Sequence, residues 1–125
     1  MPANGLNSER EWISQSLAQF AELGGPPFVT EMIELFQSQS AKQMSELDRA
    51  IEGNDWATVR RIAHTLKSSL ANYGVRELRT VAQKMESAAA DGATHGMREQ
   101  YEYLAEGIVH LRELLPTLAI ADVAH

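Results

Sequence analysis

Within the stretch from Arg60 to Gly74, RRIAHTLKSSLANYG, one imidazole sits where it can do chemistry. On a helix advancing about 100° per residue, Trp56, Val59, Ile62, Leu66, Leu70 and Tyr73 share one broad apolar face. His64 projects almost opposite the centre of that face. Three and four residues away it meets Arg60 and Arg61 on one side and Lys67 and Ser68 on the other, with small Ala57 and Ala71 beyond them. An open imidazole among cations suits a nucleophile that accepts an anionic phosphoryl group. It equally describes an ordinary surface histidine on a basic patch, and geometry alone favours that plainer reading.

The motif around the histidine changes the balance. Ala63-His64-Thr65-Leu66-Lys67-Ser68-Ser69, followed by Gly74, resembles the signature of histidine-containing phosphotransfer (HPt) domains, roughly Ala-His-x-Leu-Lys-Gly-small-small with a glycine ten residues past the histidine. A looser similarity runs from about Phe28 to Glu86, through the Gly53-Asn54-Asp55-Trp56 turn and the Leu78…Met85-Glu86 run. Ser68 stands where glycine is usual, and Leu70 where a small residue is usual. Serine keeps most of the room that glycine offers a partner, and Leu70 projects to the flank of the buried face. Neither change removes a group that the reaction needs.

The resemblance implies a phosphorelay carrier with no kinase activity and no bound nucleotide. His64 would take a phosphoryl group from a receiver-domain aspartate and pass it to a response-regulator aspartate, with a hybrid sensor histidine kinase upstream. Magnesium would sit in the receiver, so no cofactor is expected here. An unperturbed histidine titrates near pH ~6.5, and nearby cations favour its neutral, nucleophilic form. After transfer those cations face roughly −1.5 to −2 of added charge. Lys67 is expected to contact the phosphoryl oxygens and Ser68 to donate a hydrogen bond to them. Arg60, Arg61 and Ala71 are expected at the docking surface, and Gly74 in a structural role.

Composition narrows the field. The 125 residues suit a single domain spanning the chain, with a core over about 8–118. Without cysteine there is no disulfide or thiolate chemistry. The apolar runs are too short for a membrane span and the start lacks a signal segment, so a cytoplasmic protein is expected. A net charge of −6 argues against nucleic-acid binding, yet three of the eleven basic residues stand at 60, 61 and 67. Phosphate-binding glycine loops and the HExxH and GxSxG elements do not occur.

Helical periodicity runs throughout, predicting an all-α antiparallel up-down four-helix bundle with an additional short N-terminal helix. Ser8 and Glu11 have capping-box spacing before Ile13, Leu17 and Phe20, with Trp12 pinning that helix; Gly24-Gly25-Pro26-Pro27 ends it. A long helix follows from Phe28 to Ile51. Asn54 or Asp55 caps the histidine helix, which Gly74 closes in a left-handed conformation. A fourth helix carries Val75, Leu78, Ala82, Met85 and Ala89. The last, capped by Thr94, carries Met97, Tyr101, Leu104, Ile108, Leu111, Leu115 and Leu118; Gly107 is its weak point and the chain beyond Leu118 is expected to fray.

Three rival readings remain. An HPt-like bundle without phosphorylation would act as an interaction module. A metal site would use His64, His95 and His110, but bundle sites favour inward Glu-x-x-His pairs, which this chain lacks. His95 and His110 are therefore expected as exposed bystanders, and the terminal His125 carries no weight. A dimer through the last helix is disfavoured because such stripes are more often core, which leaves a monomer.

Overall fold

The computed structural model describes residues 4–123; His125 lies outside them. Its helices are α1 (Asn4–Ser8), α2 (Arg10–Glu52), α3 (Trp56–Asn72), α4 (Glu77–Asp91) and α5 (Met97–Val123), with no strand among the described residues. Helices α2, α3, α4 and α5 each pack on the next and α5 returns to α2, closing a four-helix bundle. Arg98 pairs with Asp48, the Tyr101 hydroxyl donates to the Met44 carbonyl, and the Gln37 amide donates to the Arg112 carbonyl. Rising numbers on α2 thus meet falling numbers on α5, so the two run antiparallel.

The predicted stripes form one core. Leu17, Leu47, Leu66, Leu70, Leu111 and Leu115 are almost wholly buried, and so are Met97, Leu104 and Ile108 on α5. The last helix spends its apolar face inside the molecule.

Several boundaries differ from expectation. Gly24 to Pro27 mark a kink inside α2, where Gly25 takes φ 75° and ψ −177°. Pro26 and Pro27 restart the helix because a first turn has no use for their missing N–H groups. The predicted short N-terminal helix is therefore the first arm of α2, and α1 is a further turn before it. Tyr73 braces the kink: its ring lies 5.5 Å from Phe20 and 5.0 Å from Phe36, and its hydroxyl donates to the Met32 carbonyl at 2.5 Å. Burial pushes that hydroxyl up to about 12.

Ser8 belongs to α1, and Glu9 holds the cap position of α2. The Glu9 carboxylate, 4% exposed, instead reaches across the bundle to accept the backbone N–H groups of Arg76 and Glu77 at the start of α4. Asp55, not Asn54, caps α3, accepting the Thr58 amide at 3.3 Å and the Thr58 hydroxyl at 2.6 Å. Val75 is buried in the turn before α4. Helix α5 begins three residues after Thr94, once Gly96 (φ 82°) has turned the chain. Gly107 is tolerated inside the continuous α5, where a Cβ would meet the Leu78 side chain of α4. Helix α5 also continues past Leu118 to Val123. Pro116 cannot donate to the Arg112 carbonyl, and Gln37 supplies that bond at 3.0 Å.

Candidate functional site

Helix α3 fixes its own rotation by burying Val59, Ile62, Ala63, Leu66 and Leu70. That leaves His64 outward, its side chain 60% exposed. Leu70, where the motif usually has a small residue, is fully buried and only packs. Helix α4 fixes its rotation through Leu78, Ala82, Met85 and Ala89. Ala63 and Ala82 are both wholly buried, so little side-chain bulk holds these two helices apart.

Between them Glu86 makes the decisive contacts. Its Oε2 lies 2.8 Å from His64 Nδ1, and its Oε1 accepts from Lys67 Nζ at 2.7 Å. The hydrogen bond from Lys67, seconded by that from His64, holds the Glu86 carboxyl below its usual range against partial burial. An ionised carboxylate has no proton to give, so the neutral ring carries its proton on Nδ1. The lone pair then rests on Nε2, the ring nitrogen away from Glu86, on a side chain 60% exposed.

The remaining predicted residues sort by position. Ser68, Arg60, Arg61 and Ala71 are exposed on the outer side of α3, as the projection requires. Lys67 is turned toward Glu86 on the α4 side of the ring, with 26% of its side chain exposed. Gly74 takes φ 77°, and a Cβ there would stand 2.5 Å from the Trp12 carbonyl oxygen. It serves the turn and lets the first arm of α2 approach. Trp12 is only a partial anchor: 37% exposed, it lies beneath the Arg76 guanidinium, 3.5 Å from the ring centre.

Glu86 enters the sequence analysis only as the end of the Leu78…Met85-Glu86 run, with no role given to it. Beyond that it is an acid one step off the buried stripe of α4, and its partner is 22 residues away. His95 is exposed as expected, whereas His110 is partly buried. Among the described residues no group of three or more His, Asp or Glu side chains is placed to share a metal ion.

The Hpt domain family model matches residues 31–120. The chain belongs to the Hpt domain family. A crystal structure of histidine-containing phosphotransfer protein B from Pseudomonas aeruginosa PAO1 shares the fold, with a TM-score of 0.79 and 20% identity over 86% of this chain and 92% of that one. No curated protein matches the chain. The Hpt match takes in about half of α2 and all of α3 and α4, and reaches residue 120 of α5; α1 and the first arm of α2 precede it. Among the described residues no helix of this Hpt bundle is long and apolar enough to cross a membrane.

Proposed function

We propose that His64 is the phosphoacceptor of a multistep phosphorelay. It takes a phosphoryl group from a receiver-domain aspartate and passes it to the aspartate of a response regulator. A bond forms between Nε2 and phosphorus as the bond from phosphorus to the aspartyl oxygen breaks, and the aspartate departs as a carboxylate. The ring gains positive charge in that step, and the Nδ1–H···Glu86 contact is placed to share it. Lys67, within reach of the ring, offsets charge on the phosphoryl oxygens, and Ser68 adds a donor one turn along. Hpt family membership and the solvent-facing Nε2 behind a carboxylate-held Nδ1 support this reading; the second is the observation that carries it.

The same reading makes the chain a monomeric cytoplasmic carrier with no kinase activity and no cofactor of its own. Magnesium belongs to the receiver, and the upstream donor is the receiver of a hybrid sensor histidine kinase. Arg60 and Arg61 face the receiver's acidic rim and speed encounter.

The test is transfer from a panel of phosphorylated receivers, with magnesium, to the parent and to His64→Gln. Acid-labile, base-stable label on the parent alone is the expected result. Label retained by His64→Gln overturns the residue assignment. No label from any receiver, with the helical fold intact, replaces the carrier with an interaction module.

A further inference from the structure

Two turns beyond His64 on the outer side of α3, Ala71 borders a recess of about 270 Å³. Trp12, Gln15 and Gln19 of α2 form one wall, and Arg76 and Arg79 form the other. All six side chains reach solvent, Trp12 at 37% exposure. The Arg76 guanidinium covers one face of the indole at 3.5 Å from its centre, so a cation at the rim is held in place while the rest of the indole stays partly open. Arg79 follows three residues along α4, adding a second cation in a chain of net charge −6.

We infer that this recess is a second docking point for the receiver domain, taking a carboxylate that stands beside an apolar side chain on the receiver surface. The inference rests on the phosphoacceptor reading of His64 and extends it from chemistry to partner choice. Seven residues of helix put Ala71 only ~10 Å along the axis from His64. A standard interface buries about 800 Å² per partner, a disc of roughly 16 Å radius. A receiver that brings its aspartate to Nε2 therefore covers the recess as well. Trp and Arg are the side chains that most often carry binding energy at interfaces, and small Ala71 leaves depth for an incoming group.

The recess also has the position expected of a selector. Trp12, Gln15 and Gln19 precede residue 31, where the Hpt family match begins. The wall they form comes from the first arm of α2, which lies outside the matched segment. Receivers that present a carboxylate to Arg79 gain contact here, and receivers that present a cation are repelled.

Single-turnover transfer from a receiver that labels the parent tests this on Arg79→Glu and on Ala71→Phe, which fills the recess from an exposed helix position. The half-saturating receiver concentration is expected to rise about tenfold or more in each, with the maximal rate kept. For Arg79→Glu the defect should shrink as salt is raised. Half-saturation equal to the parent's in both variants overturns the docking point while leaving His64 as acceptor. A fall in maximal rate with unchanged half-saturation overturns it too, because the recess would then act on chemistry. A parent that no receiver labels overturns both readings together.

Discussion

Glu86 and His64 face each other across the α3–α4 seam, with Oε2 2.8 Å from Nδ1, so the phosphoacceptor proposed on one helix is held by a carboxylate on the next. Hydrogen bonds to charged groups are worth about 1.5–3 kcal/mol, and neutral ones about 0.5–1.5 kcal/mol. Glu86→Gln keeps an acceptor for Nδ1–H and removes its charge. Single-turnover transfer to His64 should slow about tenfold in that variant, since roughly 1.4 kcal/mol is one decade in rate. An unchanged rate would show that the carboxylate does not share the ring's developing charge.

The same carboxylate sets an acid limit. Its pKa is lowered from the ordinary 4.5, first by the Lys67 hydrogen bond. Such a group stabilises the fold fully above its unfolded pKa, and that contribution is lost as pH falls through the lower folded value. Urea midpoints should therefore separate the parent from Glu86→Gln at neutral pH. The separation should close progressively below pH 4.5. A gap that persists in acid would assign the stability to packing.

Gly74 and Gly92 form a matched pair, with φ 77° and φ 75°, but only Gly74 has the Trp12 carbonyl in the way of a side chain. Alanine at Gly92 should cost about 1 kcal/mol of backbone strain. Alanine at Gly74 should cost about 2 kcal/mol or more, the excess measuring the close approach of α2. Equal losses in urea unfolding would remove that approach from the account.

Glu9→Ala leaves two backbone donors at the start of α4 without their buried acceptor. A loss of about 1–3 kcal/mol is expected. Hydrogen exchange at the Arg76 and Glu77 amides should accelerate more than exchange in the middle of α3. Uniform acceleration across the bundle would instead mean that Glu9 supports the whole fold alike.

Residues whose meaning is periodic were legible in the sequence. The stripes of α3, α4 and α5 follow from apolar spacing alone, and His64 is outward because those stripes leave it no other side. The run from Gly24 to Pro27 was legible as an interruption but not as a kink, because the same residues can separate a pair of helices or bend a single one. Glu86 and Glu9 were not legible as partners. Their ligands lie 22 and 67 residues away, and only the packed register of the bundle brings them together. Thr94 misled because it has a capping side chain, while Gly96 decides where α5 can start.

The reach of Glu9 to Arg76 also sets an order on synthesis. The acceptor leaves the ribosome 67 residues ahead of its donor. At about 5–20 residues per second that is a wait of roughly 3 to 13 s. During it Leu6, Ile13 and Leu17, all buried in the finished protein, have little of their core to enter. The arm that carries Glu9 is made ahead of its α4 partner and completed late, and its exposure in that interval is when a chaperone or a protease would find it.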